Sequence, residues 1–335
     1  MKLDIFNHIF PKNFYDKMLK VNPDYKDMGK RVRSIPVLYD LDERFKVMDQ
    51  FGDYAQIICI PNPPLEKLAG PDVSPELAQA ANDGMAEYVQ KYPDRFPGFI
   101  ASLPMNNPEA AVLETERAIR DLKAVGVQFF TNVGDAPLDL PELKPLFAKM
   151  ADFDLPIWLH PCRGASFTDY LTEDKSKYEI WWTLGWPYET SAAMARLVFG
   201  YYFDEYPNLK IITHHMGGMI PYFEGRIGPG WDQLGSRTTD EDYTVILKNL
   251  KKPHLEYFKM FYADTALFGS MAGTLCGLEF FGVDHVLFAS DSPFDPEKGP
   301  AYIRETIKII DQLPISDADR NKIYEGNARR LLKLT

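Results

Sequence analysis

Eight short apolar runs, each separated from the next by a helical stretch, limit this chain to very few architectures. They cover residues 3–10, 55–60, 98–103, 127–130, 156–159, 209–213, 258–264 and 286–289. Continuous runs such as Ala55-Gln56-Ile57-Ile58-Cys59-Ile60 suit strands buried on both faces. The spacing predicts helices over 40–50, 75–92, 108–124, 140–153, 188–203, 217–226, 300–310 and 316–332. Ser74, Pro75 and Glu76 read as cap, first-turn proline and acid. Residues 228–240, rich in Gly, Asp, Ser and Thr, read as loop. Strands alternating with helices imply right-handed crossovers and a parallel sheet, and eight repeats imply closure into a (β/α)8 TIM barrel. An open doubly wound sheet fits less well, because no Gly-x-Gly-x-x-Gly turn follows the first run. No second composition zone interrupts the pattern. Residues 1–335 therefore read as one barrel domain, with an insertion at about 162–187 and C-terminal helices at about 316–332.

The residues that end these runs carry the chemistry. His8 closes the first, His160 the fifth, His214-His215 the sixth, and Asp291 follows the last. A parallel barrel brings the C-terminal ends of its strands to one face. Imidazoles and one carboxylate gathered there suit a divalent cation such as Zn²⁺ or Mn²⁺, with positions left for water and substrate. Asp291 stands in Ser-Asp-Ser-Pro, which is also a good helix-capping sequence. Strand alternation would send His214 and His215 to opposite sides, so that one of them enters the site. Met216-Gly217-Gly218 behind them allows close approach of a ligand to the backbone. Tyr262 and Asp264 on the seventh strand could orient a ligand histidine, or form a buried hydrogen-bonded pair. Arg44 and Arg226 are candidates to hold a substrate carboxylate, although a surface arginine is the common case. Trp181, Trp182, Trp186 and Phe294 could wall a planar substrate, while His254 and His285, in polar loop contexts, carry no assigned role.

A net charge of −11 and the lack of a basic patch argue against nucleic acid as a partner. No run approaches the ~18 apolar residues of a membrane span, and the N-terminus lacks the pattern of a secretory signal. Cys59, Cys162 and Cys276 are odd in number and widely spaced, as expected of reduced thiols in a cytoplasmic protein.

The ordered set of short motifs resembles the amidohydrolase-related decarboxylases. That group includes the aminocarboxymuconate-semialdehyde, γ-resorcylate, dihydroxybenzoate and carboxyvanillate decarboxylases. The resemblance lies in Asp4-Ile5-Phe6-Asn7-His8-Ile9-Phe10-Pro11, Leu159-His160-Pro161 and His215-Met216-Gly217-Gly218-Met219-Ile220-Pro221 with Gly225-Arg226-Ile227. It continues in Ser290-Asp291-Ser292-Pro293-Phe294 and Gly326-Asn327-Ala328-Arg329-Arg330-Leu331-Leu332. It implies a barrel of the metal-dependent hydrolase type. His8, His160 and Asp291 match metal ligands, and His215 matches the active-site histidine. Arg44 matches an arginine that helps hold the substrate carboxylate. Arg226 matches one that reaches a neighbouring subunit's site, which implies a homodimer or a higher homo-oligomer.

One position departs from the pattern. The family has His-x-His or Glu-x-His on the first strand, and here the first of these positions is Phe6. Phenylalanine cannot ligate a metal. Either a Zn²⁺ or Mn²⁺ ion is held by His8, His160, Asp291 and water, or the metal has been lost. The expected function is metal-dependent, non-oxidative decarboxylation of an aromatic or unsaturated carboxylic acid. Asp291 or His215 would move a proton to the carbon that loses CO₂. The alternatives are a hydrolase or hydratase on the same barrel, and a non-catalytic homologue with a decayed site.

Overall fold

A computed structural model describes residues 1–24 and 28–334 of the chain. The strands are β1 (Lys2–His8), β2 (Tyr54–Cys59), β3 (Gly98–Phe99 and, past Ile100, Ala101–Ser102), β4 (Val127–Phe130), β5 (Ile157–His160), β6 (Ile211–Thr213), β7 (Tyr262–Asp264) and β8 (Val286–Leu287). Each pairs in parallel with its sequence neighbour. The Ile100 amide bridges the two halves of β3 to β2 by donating to the Ile58 carbonyl at 2.9 Å. Closure runs through the amides of Ile5, Asp291 and His8, which donate to the carbonyls of Phe288, Phe6 and Ser292 at 3.0, 3.0 and 2.8 Å. The sheet is therefore a closed barrel with the outer helices packed around it, a (β/α)8 TIM barrel.

Two apolar layers hold it together. The larger fills the space between sheet and helices, for example Phe129, Phe147 and Tyr202. The smaller fills the barrel itself with Leu3, Ile5, Phe6, Ile57, Trp158, Ile212 and Leu287, and is closed below by Leu331 and Leu332. β1 carries an irregularity between Asp4 and Asn7, where its register against β2 slips. Alternation shifts by one there, so Leu3 and Ile5 face inward and so does Phe6. Phe6 and His8 thus share the barrel interior, as their spacing predicts, with ring centroids 5.1 Å apart.

Several boundaries differ from expectation. The helix after β2 spans Ser74–Lys91, but Ser74 does not cap it, because its hydroxyl donates to Asn106 Oδ1 at 2.6 Å. The next helix, Pro108–Arg120, stops short of Ala124. Part of the segment read as loop is helical, since Glu224–Trp231 runs through Pro229, whose ring falls in a short, exposed turn. The seventh apolar run is split: its start, Phe258, closes a short helix, His254–Phe258, and only Tyr262–Asp264 is strand. The insertion contains a single-turn helix, Ile180–Thr183, and leads into the long helix Gly185–Phe199. The C-terminal stretch is broken into Asp317–Asn321, a wider turn at Lys322–Gly326, and Asn327–Leu332. Among the described residues no helix is long and apolar enough to cross a membrane.

Candidate active site

At the C-terminal ends of the strands the polar residues converge. His8 Nε2 lies 3.0 Å from Asp291 Oδ1. The ring centroids of His160 lie 5.4 Å from those of both His8 and His214. His8, His160 and His214 each place a ligand atom within 4.8 Å of the others, and His214, His215 and Asp291 form a second such group.

Alternation does not decide between His214 and His215, because β6 ends at Thr213. His214 is still extended, but His215 and Met216 both adopt φ 54°, in the left-handed region. The chain curls, and both rings face the site, stacked with centroids 3.7 Å apart. Gly218, at φ 62°, completes the curl, and a Cβ there would lie 2.4 Å from the Pro187 carbonyl oxygen. Asp291 is also left-handed, at φ 62°. It does not cap the following helix, Pro300–Gln312, whose capping residue is Gly299.

Asp264 organises this corner. One carboxylate oxygen bonds His214 Nδ1, and the other accepts the amides of His215 and Ala266 at 3.0 and 3.1 Å. Burial disfavours the charged form of His214, but Asp264 outweighs it, with help from Asp291, and pushes the ring up to about 9. The other imidazoles go the opposite way. Burial, then the neighbouring His214, brings His215 down to about 4 and His160 well below its usual value. His8 is lowered chiefly by burial. Burial opposes ionisation of Asp291, yet the neighbouring His214 and the hydrogen-bonded His8 hold its carboxyl well below the usual carboxylate range. The result is a carboxylate with His8, His160 and His215 held toward the neutral form and His214 held toward the charged form. His160 Nδ1 donates to the Pro161 carbonyl at 2.6 Å, which leaves Nε2 as a lone pair. The donor set fits a divalent cation.

Above the cluster lies a cavity of about 810 Å³, into which His160, His215 and Asp291 open. Trp181, Trp182, Trp186 and Phe294 line it, joined by Phe268 and Tyr302. The Trp186 and His160 rings are 5.6 Å apart edge to face, and Phe294 is 5.5 Å from His8.

Both arginines singled out in the sequence lie elsewhere. Arg44 is fully buried behind β1. Its guanidinium donates to the His8 carbonyl, Gln56 Oε1, Asn7 Oδ1 and the Val37 carbonyl, so each of its three nitrogens is engaged by the protein's own acceptors. It fixes the end of β1, and with it His8, rather than lining the cavity. Arg226 is exposed on the helix Glu224–Trp231. Tyr262 points to the barrel floor, where its ring stacks on His285 at 4.4 Å, away from the metal-ligand candidates. Sequence reasoning passed over Lys30 and Arg31, which line the cavity from the short helix Gly29–Arg33. Arg31 Nη2 donates to the Phe294 carbonyl at 2.8 Å, which ties this helix to the loop after β8. The available signal was their position: a segment following β1 must lie on the face where strands end.

A model of the family described as Amidohydrolase matches residues 64–334. The γ-resorcylate decarboxylase of Rhizobium sp. (strain MTP-10005) is 33% identical, over 97% of this chain and 95% of that protein. The 2-amino-3-carboxymuconate-6-semialdehyde decarboxylase of Dictyostelium discoideum is 28% identical, over 100% of this chain and 92% of that protein. Among solved structures, the dihydroxybenzoic acid decarboxylase of Polaromonas sp. JS666, with bound manganese and the inhibitor 2-nitroresorcinol, superimposes with a TM-score of 0.78. It is 30% identical, with 99% of this chain and 97% of that one covered.

Proposed function

The chain belongs to the amidohydrolase family, and within it we propose a metal-dependent, non-oxidative decarboxylase of an aromatic or unsaturated carboxylic acid. The observation that carries this reading is the set of four imidazoles, His8, His160, His214 and His215, with Asp291 at the floor of an aromatic cavity whose wall also holds Lys30 and Arg31. His8, His160 and Asp291 would hold the cation, Mn²⁺ or Zn²⁺, and a bound cation supplies Lewis-acid polarisation of the substrate's carboxylate or hydroxyl. Manganese is favoured by its presence in the Polaromonas relative. The protein's own residues do the rest. The indoles and Phe294 sandwich a planar ring and exclude water. Arg31 lines the cavity, and its Nε and Nη1, which have no hydrogen-bond partner among the described residues, are offered to an anionic substituent. His215 and Asp291, both open to the cavity, are placed to move the proton that the carbon gains as CO₂ leaves. Asp264 supports the histidine pair from behind.

A homo-oligomer is part of the proposal. Tyr170, Leu171, Tyr178 and Leu184 of the insertion are exposed, and so are Tyr188 on the helix Gly185–Phe199 and Tyr222 near Arg226. Exposed large apolar side chains of this kind suit a subunit contact. A monomer by light scattering with full activity would contradict it.

The test of the activity is a panel of hydroxybenzoates and muconate-type acids, scored for CO₂ release by Mn²⁺- or Zn²⁺-loaded protein against a chelator-treated control. Metal-dependent release of CO₂ from a member supports the reading. Equal release after chelation contradicts its metal dependence.

A further inference from the structure

The geometry points to His214, rather than any residue of β1, as the ligand that replaces the one missing at Phe6, so that the metal is held by His8, His160, His214 and Asp291. This rests on the metal-dependent reading above and specifies its coordination.

Phe6 occupies the first-strand position, and its ring has three imidazole neighbours: His8 at 5.1 Å, His160 at 5.6 Å and His214 at 4.2 Å. Of these, His214 packs most closely, so its ring sits beside the place a ligand from residue 6 would reach. His214 Nε2 is shielded from solvent and has no hydrogen-bond partner among the described residues. Its nearest charged neighbour is Asp291 Oδ1, at 3.5 Å. A ring nitrogen left this way in a residue only 1% exposed is costly unless a partner is supplied, and a cation that displaces its proton supplies one.

The other half of the ring is arranged as in ligand histidines. Nδ1 is bonded to Asp264, which orients the ring and leaves Nε2 as the free donor. Asp264 has no freedom to turn away, because its second oxygen holds two backbone amides. Position separates the two histidines. His215 opens to the cavity, while His214 does not line it and belongs to both donor groups. The buried ring is therefore the ligand, and the cavity-facing ring meets the substrate. His215 Nδ1 is taken by the Ala266 carbonyl at 2.7 Å, which turns its other nitrogen away from that contact.

The test compares full-length wild type, His214→Gln and His215→Gln, each stripped of metal. Mn²⁺ affinity is measured by calorimetry, and Co²⁺-loaded forms by visible absorption. His214→Gln should weaken Mn²⁺ binding by at least about tenfold and alter the Co²⁺ ligand-field bands, since even outer-shell partners of ligands are worth ~10–100-fold. His215→Gln should bind within about threefold of wild type and keep the spectrum. Asp264→Asn, which keeps the shape but removes the charge behind the ring, should also weaken Mn²⁺ and serves if His214→Gln does not fold. Unchanged affinity and spectrum in His214→Gln, or in Asp264→Asn in its place, would overturn the assignment while leaving the metal-dependent reading intact. A wild type that binds neither ion would overturn both.

Discussion

The Phe6 ring meets the His214 ring edge to face, with centroids 4.2 Å apart and planes at 83°. A phenyl group thus forms part of the floor of a cluster otherwise built from imidazoles and a carboxylate. It is fully buried, so truncation would leave a void among the histidines. Phe6→Ala should lower stability by about 3–5 kcal/mol, read by urea unfolding in chelator. Phe6→Leu should cost less than half of that. A neutral Phe6→Ala would mean that the ring is not part of the packed floor.

Arg31 and Arg44 should separate cleanly. Arg31→Met, changing a cavity wall, should raise KM for a carboxylate substrate by about 10–100-fold with little change in melting temperature, as expected for a lost charge-assisted contact. Arg44→Met should lower the melting temperature, because the His8 carbonyl, Gln56 and Asn7 would lose a buried donor, at roughly 3 kcal/mol or more. The reverse pattern would restore Arg44 as the substrate arginine.

His160→Ala should abolish turnover and release bound metal, seen by elemental analysis of purified protein. The ring ends β5 with Nδ1 already committed to Pro161, so its only free donor atom faces the cluster. Retention of both metal and activity would remove His160 from the ligand set.

Glu66 sets a pH dependence of stability. Both its carboxylate oxygens are shielded from solvent without a hydrogen-bond partner among the described residues, and burial pushes the group from 4.5 up to about 7. Between those values the folded chain keeps a proton that the unfolded chain has lost. Stability therefore falls as pH rises across that window and stays lower above it. Glu66→Gln should be more stable than wild type at pH 8, by up to about 3 kcal/mol, and equal to it near pH 4. A pH-independent difference would contradict this.

The barrel and most of its metal-ligand candidates were legible because both follow from periodicity. Apolar runs mark the strands, and a polar residue where a run stops stands out against them, as His8, His160 and Asp291 do. The pairing of His214 with His215 was not legible. Alternation holds only while a strand continues, and here it ends one residue earlier, with His215 entering the left-handed region. Arg44 misled for a different reason: a guanidinium that clamps backbone carbonyls inside the core has the same sequence signature as one that holds a substrate. Arg31 was missed because Lys30-Arg31-Val32-Arg33 reads locally as a solvated charged turn, and only the fold turns one side of it into a cavity. Tyr262 lies two residues from Asp264 on one strand, but the barrel axis separates them, one at the floor and one at the site.

The fate of solvent atoms tests the central claim most directly. With a substrate that the metal-loaded protein turns over, the reaction is run in D₂O and, separately, in ¹⁸O-labelled water, and the product is analysed by mass spectrometry and NMR. Decarboxylation predicts CO₂ release and one deuterium on the carbon that carried the carboxyl group, with no ¹⁸O in the organic product. Solvent oxygen in the product without CO₂ release would contradict it and identify a hydrolase or hydratase on the same barrel.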